Sequence, residues 1–116
     1  MGESDCLFCK MGAGDIAVDM VYQDNLVFAI SDIAPRAPKH FLVIPKEHIE
    51  SARSLDEGAH DALLGRIVTV ANQLAEQAGV KDEGFRLTFN VGEDGGQTIY
   101  HLHLHVLGGH KLGPEG

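Results

Sequence analysis

Hydrophobic positions along the chain follow two periods, and the longer period predicts a helix. Between residues 55 and 78 they recur every three or four positions, which is the spacing of one face of an α-helix. The recurring residues are Leu63, Ile67, Val70 and Leu74. Ser54 followed by Glu57 has the spacing of a capping box, and Gly79 follows the predicted end. The pattern therefore predicts one long amphipathic helix over residues 55–78.

Five shorter segments have the β-rich or alternating pattern of strands. They cover residues 18–22, 26–31, 40–44, 85–91 and 99–107. Residues 23–25 are typical of a hairpin turn, the two prolines within 32–39 indicate a loop, and residues 6–11 favour one or two helical turns. Strands joined by short loops favour antiparallel pairing, with the long helix covering one face. We therefore predict a single α+β domain over residues 1–116, with tails at 1–4 and 110–116.

Charge balance and cysteine content narrow the class of protein. The 9 Lys and Arg against 17 Asp and Glu give a formal net charge of −8, and no basic block supports nucleic-acid binding. No apolar run approaches the roughly 20 residues that span a bilayer, and the first residues show no secretory signal. Cys6 and Cys9 are too few for a disulfide framework, so we expect a reducing, cytoplasmic setting and no membrane partner.

Three histidines alternate with apolar residues in the last predicted strand. Because alternate side chains of a strand share a face, His101, His103 and His105 are predicted to point together from an exposed face. The residues between them, which are Leu102, Leu104 and Val106, then point into the core under the helix. Neighbouring histidines would lie about 7 Å apart along the strand, so divided roles fit better than one metal with three ligands. A neutral imidazole is a nucleophile and a proton carrier near pH 7.

A glycine-rich loop precedes the histidines. Gly92, Gly95 and Gly96 let backbone N–H groups approach an anion, and Gln97 and Thr98 add side-chain donors. The alternative is an ordinary glycine-rich hairpin. The neighbouring histidines favour a phosphate site, although the spacing is not that of a P-loop.

The segment GGQTIYHLHLHVLGG (residues 95–109) resembles the signature of the histidine-triad (HIT) superfamily, and its Leu-Gly-Gly ending resembles the Hint branch. The resemblance extends over DIAPRAPKHFLVIPKEHI (residues 32–49) and CLFCK near the N-terminus, so it covers most of the chain. It implies a HIT-like fold, in which one long helix and a short N-terminal helix accompany a five-stranded antiparallel sheet. It also implies a homodimer.

The resemblance assigns catalytic roles to four residues. The middle histidine of the family attacks the α-phosphorus of a nucleotide, and that position is His103. The expected product is a covalent nucleotidyl-histidine that water hydrolyses. His105 and Thr98 match positions that contact the phosphate and help to move the proton. His40 matches an inward histidine near the nucleophile, with a satisfied core histidine as the alternative.

The resemblance also implies a nucleotide-binding set. Its members are Phe8, Asp32, Ile33, Asn90, Gly96, Gln97, Thr98, His103 and His105. Asp32 matches the carboxylate that accepts ribose hydroxyls, and Asn90 matches a polar contact to ribose and phosphate. Ile33, with Phe8 and Ile30, would form an apolar slot for a purine. The plainer alternatives are a loop cap at Asp32, a turn residue at Asn90, and ordinary core packing at Phe8 and Ile30.

Cys6 and Cys9 have the spacing of zinc ligands, but two thiolates need two more ligands. The resemblance supplies His48, from a Pro-Lys-x-His-Ile segment, and His101. It thus implies a structural zinc and no organic cofactor. The alternative is a pair of reduced, packed thiols. A thioredoxin-type role is disfavoured because the two cysteines do not follow a first strand.

The leading functional interpretation, again implied by the resemblance, is a purine nucleoside phosphoramidase that cleaves the P–N bond of nucleoside 5′-phosphoramidates. The alternatives are hydrolysis of dinucleoside polyphosphates or other adenylated compounds, a non-catalytic nucleotide-binding protein, and a metal-binding module that uses the triad and the thiols. In each enzymatic case the partner is a purine nucleotide.

Overall fold

Five strands form one antiparallel sheet in the computed structural model, which describes residues 5–115. The strands are β1 (Met20–Gln23), β2 (Val27–Ser31), β3 (Lys39–Pro45), β4 (Phe85–Thr88) and β5 (Leu104–Gly108). Their order is β1-β2-β3-β5-β4, and every neighbouring pair is antiparallel. Strand β5 therefore lies between β3 and β4, which brings three distant parts of the chain together. The predicted α+β fold with a five-stranded antiparallel sheet is confirmed.

Two α-helices accompany the sheet within residues 5–115, and they are α1 (Leu7–Gly12) and α2 (Asp61–Gln77). Helix α2 begins later than predicted, because Ala52–Ser54 form a 3-10 turn and Gly58 takes a left-handed backbone with φ +80°. The predicted capping box at Ser54 is wrong, since His60 is the residue that precedes the helix. The predicted stop at Gly79 agrees with its φ of +77°.

The two faces of the sheet bury different residues. Alternate residues of β2 and β3 point to opposite faces, so each strand contributes to both layers. Helix α2 packs on one face over a core that includes Val27, Ala29, Val43, Leu102, Leu104 and Val106. Helix α1 supplies Phe8 to the other face, where it packs with Phe28, Ile30, Leu42 and Ile44. The predicted burial of Leu102, Leu104 and Val106 under the long helix is therefore confirmed.

The triad segment differs from its prediction in two ways. The strand begins at Leu104, so only His105 of the three histidines lies within it, whereas His101 and His103 lie in the irregular chain just before. The three histidines are also not on an exposed face, since their exposed fractions are 0% (His101), 9% (His103) and 7% (His105). They do share the face opposite α2, but the N-terminal segment around Phe8 covers it.

The turn between β1 and β2 is the predicted hairpin. The carboxylate of Asp24 accepts the N–H groups of Leu26 and Val27 at 2.8 and 2.9 Å. The same carboxylate binds the Tyr22 hydroxyl and the Arg66 guanidinium, which ties α2 to the sheet edge. Burial opposes ionisation of Asp24, but these hydrogen bonds outweigh it and lower the carboxyl pKa well below its usual value.

Beyond β5, residues 110–115 form no helix or strand. The predicted tail at residues 1–4 lies outside the described residues. Within the described part of the chain, no helix has the length and apolar character that a membrane crossing requires.

Candidate active site

The ring of His103 has one nitrogen fixed by the backbone. Its Nδ1 lies 2.8 Å from the carbonyl oxygen of His101. Because a carbonyl oxygen can only accept, Nδ1 must carry the proton, and Nε2 of the neutral ring keeps a lone pair. The ring of Phe8 packs edge-on against His103 with ring centres 5.2 Å apart. His103 is therefore held in one tautomer and one orientation.

His40 and His105 form a directed hydrogen-bond chain. The N–H of Arg36 donates to Nδ1 of His40 at 3.1 Å, so the proton of neutral His40 is on Nε2. That Nε2 lies 2.9 Å from Nδ1 of His105 and 3.4 Å from the Asp32 carboxylate. His40 therefore donates to His105, which leaves the proton of His105 on its own Nε2. His105 is therefore a hydrogen-bond donor at its Nε2, whereas His103 carries a lone pair at its Nε2.

Burial keeps these imidazoles neutral. Desolvation lowers the pKa of His40 and of His103 below the usual value. Desolvation also lowers the pKa of His105 to about 4, and the neighbouring histidines and Arg36 act in the same direction. Near pH 7 the neutral forms required by the hydrogen bonds are therefore the populated ones.

A cleft of about 410 Å³ opens beside the two central histidines. It is lined by eight residues of the predicted set, which are Phe8, Asp32, Ile33, Asn90, Gly96, Thr98, His103 and His105. His40 lies behind the residues that line the cleft and is hydrogen-bonded to His105. The structure thus brings a carboxylate, a hydroxyl, an amide and two imidazoles to one opening. Such a set can hold a phosphoryl group and move protons around it.

Gln97 is placed differently from the rest of the predicted set. Its side chain is buried, with its oxygen accepting the N–H of Gly92 and its nitrogen donating to the carbonyls of Glu50 and Ile99. It does not line the cleft. The amide therefore holds the glycine-rich loop in shape, and Gly96 in that loop has a φ of +84°, which favours glycine.

Six further cleft residues were not predicted from the sequence. Leu7, Met11, Ala34, Arg36, Leu42 and Ile99 also line it. Met11 follows Phe8 by three positions on α1, and this helical spacing could have indicated it. Leu42 follows His40 by two positions and shares its face of β3. Arg36 lies in the irregular loop after β2, where no period applies. Ile33 is 99% exposed, so this side of the cleft is open.

A second cluster contains Cys6, Cys9, His48 and His101, whose ligand atoms all lie within 4.8 Å of one another. The Nδ1 atom of His101 is 3.2 Å from Sγ of Cys6 and 3.2 Å from Nδ1 of His48, and Sγ of Cys9 is 3.3 Å from that same His48 atom. Zinc bond lengths place the ligand atoms of a tetrahedron about 3.3–3.6 Å apart. The four ligand atoms therefore lie close enough together to hold a metal ion.

The chemistry of the donors also fits a cation. His101 donates its Nε2–H to the carbonyl of Pro45 at 2.7 Å, so its Nδ1 carries a lone pair toward the cluster. Two thiols and two imidazoles are an ordinary ligand set for zinc. Asp32, His40 and His105 also lie close together, but the N–H of Arg36 opposes the His40 tautomer that a metal would need. The four-residue cluster is thus the better metal site.

Comparison with known proteins agrees with this geometry. The HIT domain profile matches residues 13–112. The chain is 44% identical over 110 residues to the purine nucleoside phosphoramidase of Escherichia coli K12, covering 95% of this chain and 92% of that protein. It is 47% identical over 109 residues to an uncharacterized HIT-like protein of Synechococcus elongatus, covering 93% of each.

Solved structures give the same result. A HIT family hydrolase from Legionella pneumophila superposes with a TM-score of 0.93 at 42% identity, covering 97% of this chain and 100% of that one. A histidine triad protein from Clostridium difficile superposes with a TM-score of 0.91 at 41% identity, covering 98% of each. On this fold, this triad and these similarities, the chain belongs to the HIT family.

Proposed function

We propose that this nucleotide hydrolase of the HIT superfamily cleaves the P–N bond of purine nucleoside 5′-phosphoramidates through a covalent nucleotidyl-histidine. The observation that carries the proposal is the fixed ring of His103, whose Nδ1–H is held by the carbonyl of His101 at 2.8 Å. The lone pair on Nε2 is thereby available in a cleft that also offers Thr98 and His105. The 44% identical relative is named a purine nucleoside phosphoramidase, which supports this substrate class.

In the first step, Nε2 of His103 forms a bond to the α-phosphorus and the P–N bond breaks. The leaving nitrogen takes up a proton and departs as an amine, because an amide anion is too poor a leaving group. That proton comes from solvent through the Thr98 hydroxyl, which takes up one proton as it gives up another, while the Nε2–H of neutral His105 donates a hydrogen bond beside it. Their donors and the backbone at Gly96 stabilise charge on the phosphoryl oxygens.

In the second step, water attacks the phosphorus and the P–Nε2 bond breaks. The water proton returns to the Thr98 and His105 side of the cleft, and a nucleoside monophosphate is released. Dividing one displacement into two steps lets the same donors act twice.

The nucleoside would lie along the rest of the cleft. Asp32 and Asn90 both line the cleft, where Asp32 would accept the ribose hydroxyls and Asn90 would contact the phosphate end. Phe8, Ile30 and Leu42 form an apolar wall, and Ile33 at the open side would close over the base. Purine rings favour such walls because both of their faces are apolar.

We further propose that Cys6, Cys9, His48 and His101 hold a structural zinc ion. Bound there, the metal supplies a cross-link between α1, the chain after β3 and the triad segment. Cysteines that act as zinc ligands must stay reduced, which supports a cytoplasmic setting.

A homodimer is also proposed. Strand β4 is at the edge of the sheet, and Leu87 on it is 37% exposed. An open edge strand with an exposed apolar residue can pair with a second copy. Sedimentation analysis would show a species of twice the chain mass, and a monomer at micromolar concentration would overturn this part.

Mass spectrometry tests the reaction itself. The protein is incubated with an adenosine 5′-phosphoramidate and quenched at mildly alkaline pH, where a phosphorylated imidazole survives. We expect a nucleotidyl adduct on His103 alone. An adduct on another residue, or turnover that continues in the His103→Ala variant, would refute the assignment.

A further inference from the structure

A second cavity, of about 460 Å³, opens beside the metal cluster, and we call it the thiol cavity. Cys6 and His48 of that cluster lie in its wall, together with Leu7, Thr98 and Ile99. The last three residues also line the cleft of about 410 Å³. Within the described chain, none of the residues that line the thiol cavity belongs to β4 or to the segment after β5. Pairing of β4 with a second copy therefore does not involve the walls of this cavity.

The two cysteines differ in their access to the thiol cavity. Both residues are partly exposed, but Cys6 lies in the wall of the cavity and Cys9 does not. A small molecule that enters the cavity therefore meets the sulfur of Cys6 first. Oxidation of a cysteine depends on such access, and it is often completed by a second cysteine nearby.

Cys9 is placed to be that second cysteine. It follows Cys6 by three positions, and the two sulfur atoms belong to a cluster whose ligand atoms all lie within 4.8 Å of one another. The N–H of Cys9 also donates to Sγ of Cys6 at 3.4 Å, so the sulfur of Cys6 is turned toward the backbone of Cys9. Rotation of the two side chains can close the remaining gap to the S–S bond length of about 2.05 Å.

A disulfide at this position would dissolve the metal cluster. In the reduced protein, Sγ of Cys6 lies 3.2 Å from Nδ1 of His101, and Sγ of Cys9 lies 3.3 Å from Nδ1 of His48. An S–S bond turns the sulfur atoms toward each other and removes both thiolate donors, so that two imidazoles alone remain for a cation. The contacts between distant segments are then exchanged for a bond within residues 6–9.

The loss of these contacts should reach the cleft, because Leu7 and Phe8 lie between the two cysteines and both line it. The ring of Phe8 packs edge-on against His101 and His103, with ring centres 5.8 and 5.2 Å apart. Once residues 6–9 are no longer held to His48 and His101, the aromatic ring against the nucleophile is less firmly placed.

We propose that Cys6 and Cys9 are an oxidation site for a hydroperoxide, and that their disulfide loosens the cleft. With hydrogen peroxide, the sulfur of Cys6 bonds to one oxygen, the O–O bond breaks, and water leaves a sulfenic acid. The sulfur of Cys9 then displaces the hydroxyl group as a second water and forms the S–S bond. Two electrons pass from the thiols to the peroxide, and the two thiol protons end in the two waters. The oxidation is independent of the proposed function, whereas its effect on turnover rests on it.

Peroxide treatment of the zinc-loaded protein tests the thiol chemistry. We expect mass spectrometry to show a disulfide between Cys6 and Cys9 within one chain, and a chromogenic chelator to show zinc release in step with it. Cys9→Ser should accumulate the sulfenic acid of Cys6, which dimedone labels, and Cys6→Ser should be labelled much less at Cys9. Equal labelling of the two variants, zinc retained in the oxidised protein, or oxidation to sulfonic acid without a disulfide would overturn the proposal.

The effect on the cleft is measured by calorimetric titration with AMP. We expect the oxidised protein to bind AMP about tenfold more weakly than the reduced protein, with full recovery after treatment with dithiothreitol. Met11 also lines the cleft, and peroxide can oxidise it to a sulfoxide that dithiothreitol does not reverse. Met11→Leu should therefore keep the tenfold loss on oxidation, whereas Cys6→Ser should bind AMP equally well before and after peroxide.

Nuclear magnetic resonance separates this inference from the proposed function. The ring C–H signals of His103 should shift on oxidation without any nucleotide, because the ring of Phe8 packs against them. If the reduced protein binds no AMP, the proposed function fails, and the disulfide, the zinc release and the His103 signals still test the oxidation site. If the disulfide forms but AMP affinity and the His103 signals stay the same, this inference is wrong and the proposed function is untouched.

Discussion

The metal cluster and the catalytic cluster are built from histidines only two positions apart, yet their rings are fixed in opposite ways. His101 donates its Nε2–H to the carbonyl of Pro45, which turns the Nδ1 lone pair toward Cys6, Cys9 and His48. His103 donates its Nδ1–H to the carbonyl of His101, which leaves the Nε2 lone pair for the cleft. A backbone carbonyl therefore selects which nitrogen of each imidazole carries the lone pair.

The contacts inside the two clusters differ as well. In the catalytic cluster, each short contact has a donor and an acceptor, as between His40 and His105 at 2.9 Å. In the metal cluster, Nδ1 of His48 and Nδ1 of His101 lie 3.2 Å apart, and the His101 atom brings a lone pair. Under the metal proposal, a cation among the four ligand atoms accounts for the second arrangement, whereas protons account for the first.

Removing the catalytic ring tests this division most strongly. In His103→Asn we expect phosphoramidate turnover to fall at least about 10⁴-fold, because the covalent step is lost. Binding of AMP should change by less than a few-fold. Steady-state kinetics and calorimetric titration measure the two effects, with His60→Asn, at the start of α2, as a control for loss of an imidazole. Equal losses in binding and turnover would mean that His103 only holds the ligand.

Removing a metal ligand should act on stability instead. In Cys9→Ser we expect loss of bound zinc and a fall in Tm of about 10 °C, because the cross-link between α1 and the triad segment is broken. Activity per folded molecule should fall less than stability. Elemental analysis and calorimetry are the measurements. An unchanged Tm in a protein that contains no zinc before the substitution would remove the metal proposal.

The hydrogen-bond chain behind the nucleophile should have an intermediate effect. In His40→Ala, His105 loses the donor that fixes its tautomer, and we expect kcat to fall about 10- to 100-fold with little change in KM. The ¹⁵N chemical shifts of the His105 ring should also move toward a mixture of tautomers. A change in KM alone would place His40 in nucleotide binding rather than in orientation of His105.

Lowering the pH should produce the smallest of these effects, a modest loss of stability. The pKa of His105 is lowered to about 4 in the folded protein, whereas the pKa of a histidine in the unfolded chain is near 6.5. Below pH 6.5 the unfolded chain therefore binds this proton more readily than the folded protein does. The contribution of neutral His105 to the free energy of unfolding is therefore fully present above about pH 6.5, and it is lost as the pH falls toward 4. Between pH 7.0 and 5.5 we expect this group to contribute a loss of about 1 kcal/mol.

Urea denaturation at the two pH values measures this loss together with the losses from His40 and His103, whose pKa values are lowered in the same direction. Both samples should first be treated with a chelator, so that protonation of the metal ligands does not contribute. Stability that rises on acidification over this range would contradict a buried, neutral His105.

Most of the fold could be predicted from the sequence because its signals are local. Leu63, Ile67, Val70 and Leu74 repeat at the helical period, and the structure places them on or against the core face of α2. The predicted start of α2 was wrong because Ser54 and Glu57 match a local motif, whereas the chain there makes a 3-10 turn and Gly58 takes a left-handed backbone. The spacing of a motif alone does not show that a turn forms over the same residues.

The site was predictable in part. Alternation correctly separated His101, His103 and His105 from the leucines between them, since that period survives even where the strand has not yet begun. Their burial was not predictable, because Phe8 covers this face from almost a hundred positions away. Gln97 was predicted beside the phosphate, but its side-chain amide forms hydrogen bonds with Gly92, Glu50 and Ile99. No local sequence pattern could have indicated those partners.

The order of residues along the chain thus determined which side chains alternate, where the long helix forms, and which residue types are available for phosphate and metal chemistry. Only the tertiary structure decided which nitrogen of each histidine holds its proton. The reason is that the rings are hydrogen-bonded by the carbonyls of Pro45 and His101 and by the N–H of Arg36. It also decided that Cys6 and His101, 95 positions apart, meet in one cluster. Periodicity acts over one or two turns, whereas hydrogen-bond partners and charges meet through pairing of distant strands.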